Sequence, residues 1–288
     1  MAEAPRGPLR AGHVIAGFDA AASGYDTQGV TFFTEIAERL LKRAGLKTGD
    51  RVLDVGCGAG ALTFRAASAV GPEGTVNGID LSAEMLKRAA AVCAGRELSN
   101  VTLTRADARH PPYAAETFDA VVGSMMIFLL ADPGGAARAW LELLRPGGTL
   151  AFSWNVAEDE RWRPVIAAVD AHVPSGGGFE TLLHHPPFGS TADVEAMLGD
   201  AGYTTVTTAV KDAEARYTGP RQWWAVSWSQ APRIPWERIP RQVRITARND
   251  AFRILEGMRD PDGMLIRRSV IGYTAARRPG GISEGGMS

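Results

Sequence analysis

Residues 52–60 read Val-Leu-Asp-Val-Gly-Cys-Gly-Ala-Gly, an apolar run that ends on a carboxylate and breaks into a turn with glycine at 56, 58 and 60. Glycines at that spacing serve a loop where the backbone turns sharply and a ligand lies against bare peptide. Asp54, two residues before the first glycine, sets the chemistry. A dinucleotide pyrophosphate favours helix-end N–H groups with little negative charge nearby, whereas a ligand with a cationic amino-acid end favours a carboxylate there. A second acid, Asp80, closes the run Val76-Asn77-Gly78-Ile79-Asp80-Leu81-Ser82, where one carboxylate can accept from both hydroxyls of a ribose. Cys57, inside the glycine turn, reads as a packing residue rather than a nucleophile.

Three further stretches keep the same order and spacing: Thr104-Arg105-Ala106-Asp107-Ala108, Phe118-Asp119-Ala120-Val121-Val122-Gly123-Ser124 and Leu144-Arg145-Pro146-Gly147-Gly148-Thr149-Leu150. One glycine-rich loop is weak, since residues 56–61 also fit a dinucleotide fingerprint; the ordered set is specific. Together these stretches resemble the class I S-adenosylmethionine-dependent methyltransferases, in the small-molecule branch with quinone-biosynthesis and natural-product tailoring enzymes. The resemblance covers residues 14–154 well and the remainder loosely. It implies that Asp54, Gly56, Gly58, Gly60 and the Ser124 backbone hold the methionine end of S-adenosylmethionine. It implies that Asp80 and Leu81 meet the ribose, Asp107 and Ala108 the adenine edge, and Met85 the adenine face. Tyr25, within Phe18-Asp19-Ala20-Ala21-Ala22-Ser23-Gly24-Tyr25-Asp26, is similar to a family tyrosine that closes over the cofactor.

The elements that position these residues follow from periodicity. Helical spacing at 30–43 ends at Gly45, a C-cap glycine. Strands at 51–55, 75–80, 101–106, 118–123 and 149–154 alternate with helices at 61–70, 83–94 and 135–144, with Ser82 as N-cap of the second. Such alternation demands an α/β fold, a Rossmann-like mostly parallel sheet with helices on both faces. A helix at 191–199 and strands at 203–210 and 265–274 complete seven strands, and the resemblance makes the last one antiparallel. The expected organisation is a tail and cofactor-covering segment (1–27), a cofactor-binding core (28–154), a lid insertion (155–190), completion of the sheet (191–278) with a helical substrate lid at 219–259, and a tail (279–288).

The acceptor end is read less directly. Met125, Met126 and Phe128 follow the fourth strand, where the family places substrate contacts; enzymes acting on DNA bases or protein amides carry Asn/Asp-Pro-Pro-Tyr there instead. Trp223, Trp224 and Trp228 suit either a planar-substrate pocket or core packing. Arg241, Arg244 and Arg248 read as a solvated helix face ahead of an anion clamp, and Glu158-Asp159-Glu160 as a solvated helix start. Of five histidines, His184 and His185, before Pro186-Pro187, are the expected general bases if the reaction needs one.

Composition narrows the function. The chain has 288 residues, a formal charge of −1 and two cysteines. No basic field draws it to nucleic acid, a disulfide framework is implausible, and no apolar run spans a bilayer. No acidic cluster around the acceptor calls for a metal. The expectation is a cytoplasmic enzyme, monomer or homodimer, that transfers methyl to an oxygen, nitrogen or carbon of a small aromatic, enolic or quinone-like acceptor. The rivals are a nicotinamide-dependent oxidoreductase and a protein that uses the same cofactor without methylating, for instance in a cyclisation.

Overall fold

Neighbouring residues of the central strands turn to opposite sides of one sheet, and both sides are covered. In β1 (Arg51–Val55) and β4 (Phe118–Ser124), Val52 and Val122 join the core around Ile36, Leu40, Ala66 and Val70. Leu53 and Val121 join the opposite core with Trp140, Leu143 and Leu198. Burial on both faces makes these strands continuously apolar rather than alternating, as parallel strands under helices must be. The computed structural model describes residues 11–25, 28–174 and 188–280.

The described strands, with β2 (Thr75–Asp80), β3 (Val101–Arg105), β5 (Leu144–Glu158), β6 (Thr204–Tyr217) and β7 (Leu265–Arg277), form one seven-stranded sheet in the order β3-β2-β1-β4-β5-β7-β6. The first five run parallel, and β7 inserts antiparallel between β5 and β6. The strand order reverses between β1 and β4, which leaves a crevice beyond their carboxyl ends. Helices α2 (Phe32–Ala44) and α3 (Thr63–Val70) supply one core, and α5 (Pro133–Leu143) and α7 (Thr191–Asp200) the other. Between α5 and α7, α6 (Arg163–Asp170) follows β5.

Local chemistry fixes the helix ends. The Ser82 hydroxyl accepts from Met85 N at 3.2 Å to start α4 (Ala83–Gly95). Gly45 closes α2 at φ 63°, where a side chain would be strained. The helix expected at 135–144 begins two residues earlier, because Asp132 caps Gly135 N at 2.8 Å and Pro133 takes the first turn.

Three differences matter for the site. A helix not expected from the sequence, α1 (Ala11–Ala21), packs on α4 and on α9 (Arg233–Arg238), so closely at Gly17 that a Cβ there would lie 2.3 Å from Ile234. Strand β5 runs on to Glu158, so the segment from Asn155 begins as sheet and not as a lid insertion. Strands β6 and β7 are also longer than expected. Beyond them, α8 (Pro220–Trp228), α9 and α10 (Arg244–Glu256) form a separate apolar cluster with α6 around Trp162, Trp223 and Trp236. No helix among the described residues is long and apolar enough to cross a membrane.

The continuation of β5 is held by Trp154, fully buried, which donates through Nε1 to Thr274 Oγ1 at 3.1 Å and lies over Gly272. A Cβ at Gly272 would sit 2.6 Å from the indole. Gly272→Val should therefore cost about 1–3 kcal/mol through overpacking and lower Tm by several degrees in differential scanning fluorimetry. An unchanged Tm would show that the indole does not hold this strand.

Candidate functional site

Beyond the carboxyl ends of β1 and β4 lies a cavity closed on one side by α1, whose Val14, Ile15 and Phe18 face it. Asp54, Gly56, Gly58, Asp80, Leu81, Met85, Asp107, Ala108 and Ser124 all line it, and so do Tyr25, Met125, Met126 and Phe128. Most of the residues singled out in sequence thus line one cavity.

Asp54 is fully buried at the end of β1. Its Oδ2 accepts from Thr63 Oγ1 at 2.6 Å, while Oδ1 has no hydrogen-bond partner among the described residues. Burial, reinforced by the negative charge of Asp80 and opposed by the Thr63 hydroxyl, pushes its carboxyl up to about 7. The turn that follows takes Gly56, Gly58 and Gly60 through φ of 66°, 52° and 91°. A Cβ at Gly58 would meet nothing within 4 Å, so bare peptide faces open space there. Gly60 differs. It does not line the cavity, and a Cβ there would lie 2.2 Å from the Phe64 ring, so its glycine serves helix packing instead of a ligand.

Asp80 ends β2 with both oxygens engaged by backbone: Oδ2 accepts from Gly58 N at 2.9 Å and Oδ1 from Ser82 N at 2.8 Å. These bonds tie the glycine turn to the start of α4 and leave the carboxylate further acceptor capacity. Burial raises its pKa against those bonds. The Ser82 hydroxyl donates in turn to Asp19 of α1 at 2.5 Å, which fastens α1 over the cavity. Asp107 is gripped by Arg109, at 3.1 Å from Nε and 2.6 Å from Nη2, and these hydrogen bonds hold its carboxyl below the usual range. Tyr25 stacks on Phe33 with centroids 6.0 Å apart.

Cys57 is a packing residue: its Sγ lies 3.1 Å from where a Gly78 Cβ would be, and burial and the acids at 54 and 80 push its thiol well up. That suppresses the thiolate a nucleophile needs. Met125 is held at φ 53°, an unusual conformation for a non-glycine residue, by bonds from its N–H to the Ser153 carbonyl and hydroxyl, both 3.1 Å. Such positions concentrate at ligand sites.

Two expectations about the acceptor end change. Trp223, Trp224 and Trp228 do not line the cavity; Trp223 and Trp224 pack on Trp236, Trp224 lying 4.4 Å from it edge to face, and Trp228 packs on Trp224. One-turn spacing cannot separate core from pocket, and here the apolar cluster around Trp162 and Trp236 takes them. Glu158 is not a solvated helix start. It ends β5 with its side chain 12% exposed, lines the cavity, and pairs with Arg267. Arg267, Asn155, Ser269 and Tyr217 line the same end, none of them singled out in the sequence. Period-two pairs in β6 (Ala215, Tyr217) and β7 (Arg267, Ser269) are the signal that would have found them. His184 and His185 lie outside the described residues. His172 bonds Asp250 at 2.9 Å, joining α6 to α10 away from the cavity, and His110 is exposed. Arg244 donates to the carbonyls of Ile239 and Glu237 and lies over Trp228, so it serves the packing of α8, α9 and α10 rather than an anion clamp.

The family described as a methyltransferase domain matches residues 52–148. Nocamycin O-methyltransferase of Saccharothrix syringae is 33% identical over 276 residues, covering 92% of this chain and 98% of that one. The chain belongs to the class I S-adenosylmethionine-dependent methyltransferases. Aklanonic acid methyltransferase DauC of Streptomyces sp. (strain C5) is 41% identical over 140 residues, 49% of this methyltransferase and 64% of that one, just under two thirds of its length. Among solved structures, the cyclase SpnF superposes with a TM-score of 0.58 at 20% identity, covering 93% of this chain and 94% of that one, a likeness of fold alone. S-adenosylmethionine is the methyl donor. The cavity suits it: an unpartnered carboxylate oxygen at Asp54 and bare peptide at Gly58 are what a cationic amino-acid ligand fills.

The buried Asp54 has a consequence for stability. Below about pH 4 it is uncharged folded or unfolded; above about 7 it is charged in both states, and the folded state bears the whole cost of the buried charge. Stability of the cofactor-free protein should fall as pH rises from 4 to 7, and Asp54→Asn should flatten much of that slope, leaving the share of Asp80. Urea midpoints at pH 5, 6, 7 and 8 measure this; parallel profiles for the two proteins would refute it.

Proposed function

We propose that this methyltransferase methylates a small natural-product-type acceptor, aromatic or enolic, held at the apolar mouth of the cavity beside Met125, Met126 and Phe128. The observation that carries the reading is one cavity with Asp54, Asp80 and Asp107 on one wall and an apolar surface from α1 and the β4 turn on another. The curated relatives support the substrate class: one is an O-methyltransferase for nocamycin, the other a methyltransferase for aklanonic acid. The charge of −1 and the absence of an Asn/Asp-Pro-Pro-Tyr element after β4 favour a small molecule over a nucleic acid. Cyclisation without methyl transfer has no observation in its favour, because the likeness to a cyclase is one of fold.

In this reading Asp54 faces the cofactor's ammonium, with the peptide of Gly56 and Gly58 and the Ser124 backbone around the methionine end. Asp80 and Leu81 meet the ribose. Asp107, shared with Arg109, and Ala108 meet the adenine edge, Met85 its face, and Tyr25 closes over it with α1. The bound cofactor supplies a methyl already activated on a cationic sulfur. What remains for the protein is to hold the acceptor atom in line at about 3–3.5 Å and to exclude water. Met125, fixed by Ser153, and the covering α1 do this. Charge disappears as methyl meets an anionic nucleophile, so apolar walls there do not oppose the reaction.

Calorimetric titration with S-adenosylmethionine and S-adenosylhomocysteine should give micromolar binding, and Asp80→Ala should weaken it at least about 100-fold, the scale of two charge-assisted hydrogen bonds. Millimolar or absent binding to the wild type would remove the proposed roles. Affinity should also depend on pH with a defined sign. Asp54, at about 7, must ionise to face an ammonium, so binding should tighten up to about tenfold per unit between pH 5.5 and 7 and stop improving near pH 8, where an α-amino group loses its proton. Asp54→Asn should bind weakly at every pH, without the slope.

A further inference from the structure

The end of the cavity opposite the glycine turn carries a polar set that methyl transfer from the cofactor does not use. Strands β5, β6 and β7 outrun the parallel core together, with Glu158 opposite Ser269 and Ala215 opposite Arg267 in register. Arg267 and Ser269, two residues apart, share a face and line the cavity, while Arg268 between them is 51% exposed. Glu158 receives three donors: Asn155 Nδ2 on Oε1, and Arg267 Nη2 at 2.5 Å with Ser269 Oγ at 3.2 Å on Oε2. Its side chain is 12% exposed and that of Arg267 is 20%. A desolvated ion pair is poor material for stability alone, and this one stands in a cavity wall.

The network fixes the Asn155 amide. A carboxylate only accepts, so Nδ2 must face Glu158, and the amide oxygen must point away from it. That oxygen, Asn155 Oδ1, is buried and has no hydrogen-bond partner among the described residues. Glu158, with both oxygens engaged and its charge matched by Arg267, is not free to act as a base. The set as a whole is neutral: the guanidinium is spent on Glu158, and what remains unsatisfied is an acceptor.

We propose that Asn155, oriented by Glu158, Arg267 and Ser269, is the anchor for an uncharged hydroxyl of the methyl acceptor, which donates to Asn155 Oδ1. The proposal rests on the reading of this cavity as the acceptor site. Asn155 is a positioning and specificity residue: it selects hydroxylated acceptors over those with hydrogen or a carboxylate at that point. An anion there would meet a carbonyl oxygen backed by the Glu158 carboxylate. A site built to bond a hydroxyl discriminates strongly against the analogue without it, because its own polar group is then left unpaired.

The test uses the full chain saturated with S-adenosylhomocysteine and three probes on one ring system: 2-naphthol, naphthalene and 2-naphthoate, with Kd from ligand-observed NMR. The expected order is 2-naphthol at least about tenfold tighter than either other probe. In Asn155→Ala, 2-naphthol should fall to the level of naphthalene, while S-adenosylhomocysteine affinity stays within about twofold. If Asn155→Ala no longer binds S-adenosylhomocysteine, Asn155→Ser, which is smaller but still polar, carries the same comparison. Equal binding of the three probes, tighter binding of 2-naphthoate, no 2-naphthol binding at 1 mM, or an unchanged preference in the variant would each overturn the anchor. Failure of S-adenosylhomocysteine to bind the wild type would instead overturn the cofactor roles, so the two failures are distinguishable.

Discussion

A carboxylate buried with no cation bonded to it among the described residues governs the architecture of this site. Asp54 sits at the end of the central strand, where strand order reverses and the sheet leaves its crevice. Among the described residues its hydrogen bonds come from Thr63, and burial outweighs them, pushing the carboxyl up to about 7. The fold therefore holds a group whose charged form is costly until a cation arrives. The glycine turn brings bare peptide beside it, and Asp80 bridges that turn to the next helix. In the proposed reading, the acid whose charge burial makes costly is the one that faces the ligand's ammonium.

The cover is wired to the same acids. Asp19 of α1 accepts from the Ser82 hydroxyl, and Ser82 N donates to Asp80, so a chain of three residues runs from the covering helix to the strand end. Arg88 of α4 adds a bond to the Ser23 carbonyl at 2.9 Å. On its other side α1 meets α9 through Gly17 and Ile234. One helix of 11 residues thus joins α4 to α9, and its Val14, Ile15 and Phe18 line the cavity between.

What the sequence made legible was whatever obeyed a burial pattern. The parallel strands are apolar because helices cover both faces, and the glycine turn is marked by a conformation that few other residues tolerate. The elements that escaped notice lack those marks. Helix α1, rich in Ala and Gly, has only a weak apolar stripe, because its inner face meets a cavity as well as a core. The extensions of β5 and β6 carry Asn155, Glu158 and Tyr217 inward, where a polar residue at an inward position reads as the end of a strand; Arg267 and Ser269 lie within the expected strand 265–274, but nothing in its pattern marks their side as facing a cavity. The tryptophans of α8 misled in the opposite sense: their size and spacing fit a planar pocket as well as the cluster around Trp236 that they build. Arg109, two residues from Asp107, was in plain view, but nothing in the pattern said that its guanidinium turns back on the acid.

The two ends of the cavity solve opposite electrostatic problems with similar residues. At the end proposed for the cofactor, Asp54 and Asp80 have no arginine among their hydrogen-bond partners in the described residues, and burial raises both, which suits a ligand that brings its own positive charge. At the far end Glu158 is matched by Arg267, and the pair orients a neutral amide without projecting a net field. Methyl transfer to an anionic nucleophile removes charge from the middle of this arrangement. Unmatched acids placed there would hold the cationic donor in its ground state and repel the nucleophile; an unmatched arginine would hold the nucleophile back. Apolar walls between a cation-binding end and a neutral, hydrogen-bonding end avoid both costs, which accords with the place proposed for Met125, Met126 and Phe128 between the two ligands.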